Sequence, residues 1–226
     1  MNEDVVSAGS VGRDAVSGGA VRAGGMSLGT YGGLAKEVLG RDARLGEVRL
    51  VAVDGRAGSG KTTFAGRLAR ALRHAGADVA ELHTDDFLDG WAELTAWRPR
   101  LEQWVFAPFR VGEDAKYRRY DWVAERMREE WEPLRRPDVL VVEGVGSAGA
   151  EDLTLAVYVH APEALRLERG LIRDGEALRP QWERWMAEED RFFGDGTALR
   201  NVDVHVDGAP EEEHDPQNEY FILAGG

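Results

Sequence analysis

Gly55-Arg-Ala-Gly-Ser-Gly60-Lys61-Thr62 fits the pattern GxxxxGKT. It stands between a β-branched apolar run, Val48 to Asp54, and a segment in which Phe64, Leu68 and Leu72 recur every four residues. That order, a strand, a glycine-rich turn and an amphipathic helix, leaves few folds open. The glycines let the backbone turn so that successive N–H groups face one concavity, and the helix adds its positive N-terminal end. Such a loop cradles phosphate. Lys61 suits the β and γ phosphates of a nucleotide, and the Thr62 hydroxyl suits the magnesium ion that bridges them. The candidate nucleotide contacts are therefore Gly55, Gly58, Ser59, Gly60, Lys61, Thr62 and Thr63, with ATP and Mg2+ as the cofactors.

Further strands are expected at Asp78 to His83, Val139 to Val142 and Leu155 to His160, with a weaker one at Val202 to Val206. Helical spacing is expected around Leu34 to Leu39, Thr62 to Ala75, Asp121 to Trp131, Ala164 to Arg173 and Gln181 to Phe193. Alternating strands and helices predict an α/β fold, here the three-layer α/β/α P-loop NTPase arrangement, with a mostly parallel five-stranded sheet and a helical lid. The segment from Phe87 to Tyr120 fits neither period. It carries Trp91, Trp97, Trp104, Phe106, Phe109 and Tyr117 beside Pro99 and Pro108, and reads either as a satellite hydrophobic cluster or as a pocket wall.

A chain of 226 residues has room for one such domain. Residues 1–28, rich in Gly, Ala, Ser and Val, read as a disordered arm, and 29–208 as the P-loop domain. Residues 209–226 read as an acidic flexible tail, because Glu211, Glu212, Glu213, Asp215 and Glu219 meet no Lys or Arg there. A net charge of −13 argues against nucleic acid as a partner. There is no cysteine, and the five histidines have no zinc spacing. No apolar run approaches a membrane span, and the first residues lack the pattern of a secretory signal, so a cytoplasmic protein acting on a small molecule is expected.

In open parallel sheets, ligands gather beyond the carboxyl ends of the strands. Two candidate strands end in acids there, Thr84-Asp85-Asp86 and Glu143-Gly144. Phosphoryl transfer to an alcohol needs one acid to organise magnesium and one to take the hydroxyl proton. Arg166, Arg169 and Arg173, at i, i+3 and i+7, share one helical face. They either pair with Glu163, Glu168 or Asp174 on a solvated face or form a lid that stabilises charge on the transferring group.

These residues resemble the uridine kinase family of P-loop kinases over about Val48 to Gly208. The likeness rests on GxxxxGKT, Thr84-Asp85-Asp86-Phe87, Tyr120-Asp121-Trp122, Glu143-Gly144, the run Arg166 to Asp174 and the closing strand Val202 to Gly208. It implies a phosphotransferase with an alcohol acceptor, a nucleoside among the candidates. Asp85 would be the catalytic base and, with Thr62 and Glu143, a magnesium ligand. Lys61, Arg169 and Arg173 would act on the transferring phosphoryl group, and Tyr120, Asp85 and Arg166 would touch the acceptor. The chain departs from the family at Gly170, where an arginine is usual, and at Glu125, where a histidine is usual. A kinase of secondary metabolites and a slowly hydrolysing, ATP-sensing regulatory protein are the alternative readings.

Overall fold

A computed structural model describes residues 25–91 and 94–224. Chain order runs β1 (Met26–Thr30), α1 (Tyr31–Gly40), β2 (Arg49–Asp54), α2 (Lys61–His74) and β3 (Val79–His83), then the short helices α3 (Arg98–Leu101) and α4 (Ala107–Arg110). Four short strands follow, β4 (Ala115–Tyr117), β5 (Tyr120–Asp121), β6 (Arg126–Met127) and β7 (Glu132–Leu134). The second half supplies β8 (Val139–Glu143), β9 (Leu153–His160), α5 (Glu163–Asp174), α6 (Arg179–Phe193), β10 (Val204–Asp207) and β11 (Glu219–Leu223).

The main sheet has the order β1-β11-β10-β9-β2-β8-β3. Its five strands from β10 to β3 are parallel, and β11 and β1 add an antiparallel edge. Alternation along each strand feeds two cores. Leu50 and Ala52 of β2, Leu140 and Val142 of β8, and Ala156 and Tyr158 of β9 face one side. Val51, Val53, Val139, Val141, Leu155 and Val157 face the other, against Leu34 and Val38 of α1 and Phe64, Leu68 and Leu72 of α2. Each such aliphatic side chain, fully buried, contributes about 1.5–3 kcal/mol. Because both faces are covered, the strands are apolar throughout, as parallel strands in a three-layer fold must be.

Three expectations need correction. The sheet has seven strands rather than five, and the two extra ones come from segments read as arm and tail. Met26 to Leu28 lie in β1, while residues 1–24 of the expected arm lie outside the described residues. Within 209–226, Tyr220 and Phe221 are buried in β11, which bonds to both β10 and β1. An acidic composition hid a strand of five residues, Glu219-Tyr-Phe-Ile-Leu.

The aromatic segment is part of the main core rather than a satellite. Arg98 to Arg110 is one helical run with a π-turn over Glu102–Phe106. Trp97, Leu101, Val105 and Phe109 pack in the core that contains Leu50. Pro99 and Pro108 concealed it, yet Pro99 sits in the first turn of the run and Pro108 directly follows the π-turn, where the i to i−4 ladder is already broken. Proline is tolerated in a first turn, where no N–H is needed.

The helix expected over Asp121 to Trp131 does not form. Asp121 Oδ1 accepts from the N–H groups of Val123 (3.1 Å) and Ala124 (2.9 Å), a local turn that competes with helix. The chain reverses through Glu125, at φ 50°, and Arg126–Met127 pairs back onto Tyr120–Asp121.

Candidate functional site

The loop after β2 and the start of α2 open onto a cavity of about 990 Å³ at the carboxyl ends of β2, β3 and β8. Gly58, Gly60, Lys61, Thr62 and Thr63 form one end. Gly55 and Ser59 lie beneath the surface: Gly55 N–H donates to Asp54 Oδ1 at 2.6 Å, and the buried Ser59 hydroxyl has no hydrogen-bond partner. Those two shape the loop from below. Gly58, at φ 78°, is pressed against the backbone of α5, where an added Cβ would come within 2.4 Å of the Arg166 carbonyl oxygen.

Asp85 and Glu143 stand beyond the loop on the same cavity wall as Lys61. The Asp85 side chain is exposed toward the cavity, yet protein surrounds it, and this enclosure raises its pKa against the opposing pull of Lys61. Glu143 is buried, accepts from the Thr62 hydroxyl at 3.0 Å and meets His83 Nδ1 at 2.6 Å. Burial would raise its pKa, but His83, Lys61 and Thr62 together outweigh burial and lower it. His83 is raised in return, chiefly by the hydrogen bond to Glu143. A hydroxyl and two carboxylates of this kind are hard oxygen donors suited to magnesium, although no cluster of three acidic or histidine ligands exists among the described residues.

The three arginines part company. Arg169 faces the cavity and donates to the carbonyls of Gly58 (3.3 Å) and Gly208 (3.1 Å), holding α5 to the loop. Arg173 lines the cavity, pairs with Asp174 at 2.7 Å and stands over the Trp182 ring. Arg166, expected at the acceptor, points elsewhere: it is buried in an ion pair with Glu189 at 2.9 Å. The structure therefore gives Arg166 a packing role under the loop. Helix spacing put three guanidiniums on one face, but the width of that face spans both the cavity and the interior.

Sequence reasoning missed Glu189, Asp54 and two rings of α6. Glu189 is fully buried; it accepts from the Ala57 N–H at 2.6 Å and from Trp185 Nε1 at 3.1 Å, besides Arg166. Asp54 accepts from Gly55, Gly146 (2.9 Å) and Ala148 (3.0 Å), and burial pushes its pKa up to about 6. An acid at the end of a core strand was a usable signal for Asp54; nothing local marked Glu189. Trp182 and Trp185 join Trp91, Tyr120 and Trp122 at the far end of the cavity. At Gly170 the α5 backbone is bare because Trp182 packs on it, an added Cβ lying 2.5 Å from the ring.

Fold and loop together define a P-loop protein of the α/β/α class. The chain has the fold of a possible uridine kinase from Bacillus stearothermophilus, with a TM-score of 0.57 and 21% identity over 77% of this chain and 96% of that one. It is similar in the same way to the YGR205w protein, with a TM-score of 0.50 and 11% identity over 71% of this chain and 84% of that one. No protein-family model matches the chain, and no curated protein matches it in sequence. No helix among the described residues is long and apolar enough to cross a membrane.

Proposed function

We propose that this chain is a kinase that transfers the γ-phosphoryl group of Mg-ATP to a hydroxyl of a small molecule. One observation carries the reading: a single cavity has the phosphate loop at one end, Asp85 and Glu143 in the middle and an aromatic wall at the other. Thr62, Glu143 and Asp85 would hold magnesium, which when bound neutralises charge between the β and γ phosphates. Lys61 and the loop amides orient the phosphates. Asp85 takes the acceptor's hydroxyl proton as the new O–P bond forms and the bond to ADP breaks. Arg173 and Arg169 close that side and balance charge on the phosphoryl group.

The uridine kinase resemblance makes a nucleoside the first acceptor to try. The test follows ADP release from Mg-ATP over a panel of nucleosides, sugars and amino alcohols, with Asp85→Asn as control. Turnover that rises with one acceptor and is lost in Asp85→Asn supports the reading. Turnover equally slow with every acceptor overturns it and leaves the ATP-sensing alternative.

A further inference from the structure

The chain has seven tryptophans, and what stands over each ring sorts them. Trp97 has Arg98 within cation–π range, Trp104 has Arg118, Trp131 has Lys116 and Arg118, and Trp182 has Arg173. Among the described residues no Lys or Arg stands over the remaining three, Trp91, Trp122 and Trp185. Those three line the cavity. They also touch one another: Trp91 meets Trp122 edge to face at 5.9 Å and Trp185 at 5.7 Å, and Trp122 meets Tyr120 at 5.1 Å. Trp91 and Trp122 are 45% and 41% exposed, a large apolar area left open in a molecule that buries most of its rings.

At this end Arg173 stands over Trp182 on the α5 side, while among the described residues no cation stands over Trp91, Trp122 or Trp185. The cavity's basic side chains, Lys61, Arg169 and Arg173, belong to the loop and to α5. Beside Tyr120 and Trp122 stands Glu125, which makes no ion pair or side-chain hydrogen bond among the described residues. Among the described residues the wall offers, apart from the Tyr120 hydroxyl and indole N–H groups, no hydroxyl, amide or imidazole side chain with which to read the edge of a base. Ring faces and a carboxylate are what remain. Such a set attracts a cation, because each ring face carries negative charge and an ammonium desolvates less unfavourably among rings than among aliphatic groups.

We propose that the acceptor is an amino alcohol: its ammonium group seats among Trp91, Trp122, Tyr120 and Trp185 with Glu125 as counter-charge, and its hydroxyl reaches Asp85. This rests on the kinase reading for the hydroxyl but not for the ammonium seat. The two are therefore tested separately on the full chain.

Tryptophan fluorescence is titrated with choline and with its neutral isostere 3,3-dimethylbutan-1-ol. Choline is expected to saturate at a concentration at least about ten-fold below the isostere. Trp91→Leu is expected to lose that preference, and Glu125→Gln to weaken choline several-fold while leaving the isostere unchanged. Circular dichroism confirms that both variants fold, since both positions are open to solvent. Equal binding of the pair, or no saturable response to choline, overturns the proposal. A neutral nucleoside that turns over in preference to every amino alcohol also overturns it and leaves the kinase standing. Choline binding with no acceptor-dependent turnover would keep the seat and remove the kinase.

Discussion

The carboxylate of Glu189 accepts a hydrogen bond from the backbone N–H of Ala57 at 2.6 Å, so a buried acid on α6 grips the phosphate loop. Burial raises the Glu189 pKa, and the Ala57 N–H, Lys61 and Arg166 oppose that rise. Trp185, on the aromatic wall of the cavity, donates to the same oxygen. Loop, α5 and α6 thus meet on one side chain. Glu189→Ala would strand the buried Arg166 charge, and stability is expected to fall by about 3–5 kcal/mol in chemical denaturation. Glu189→Gln keeps the shape, and is expected to lower stability less while raising the KM for ATP.

On the proposed reading, Asp85 takes the proton of the acceptor hydroxyl. Asp85→Asn is expected to reduce acceptor-dependent turnover by at least about 100-fold. Nucleotide binding should persist, read by fluorescence titration with Mg-ADP.

Gly170 and Trp182 fit one against the other. An added Cβ must push the buried ring away, and Gly170→Ala is expected to lower stability by about 1–3 kcal/mol. Arginine at this position would displace Trp182 outright and break its bond to Asp174. Thermal unfolding of the two variants should rank them in that order.

Removing residues 219–226 takes away β11, with the buried Tyr220 and Phe221. Tyr220 packs against Tyr31 and Phe64 at 5.2 Å, and losing one such ring typically costs about 3–5 kcal/mol. A truncation that ends before Glu219 should unfold at markedly lower denaturant than one that removes no strand.

His160 Nε2 lies 2.8 Å from His205 Nδ1, and burial with the neighbouring imidazole pushes the His160 pKa down to about 4. His205 is lowered by burial as well. Unfolded, each histidine titrates near 6.5, so between about 6.5 and 4 the unfolded chain binds more protons than the folded one. The pair's contribution to stability is therefore full above about 6.5 and is lost as the pH falls through that window. Melting temperature measured from pH 7 to pH 4.5 should drop more steeply for the natural chain than for His160→Gln/His205→Gln.

Much of this protein was legible because local rules and global fold agree. GxxxxGKT between a strand and a helix fixes how the backbone can turn and which atoms it can offer, since glycine conformation and helix polarity act over a few residues. The period of four in α2 likewise set which of its faces is buried, and the unbroken apolar run of β2 marked a strand covered on both faces, as in a parallel sheet. Asp85 and Glu143 could be found because strand ends in a parallel sheet converge on one edge.

What only the tertiary structure decided depends on neighbours far along the chain. Arg166 and Arg173 look alike in sequence, yet one meets Glu189 in the interior and the other the cavity, because α6 covers one flank of α5. Acidic composition could not show that Glu219–Leu223 would complete the sheet, since its partners β1 and β10 are separated from one another by most of the chain. The aromatic segment had no period to read: its rings divide between the core and the cavity according to what packs beside them. Spacing reports which residues share a face; only packing determines what that face meets.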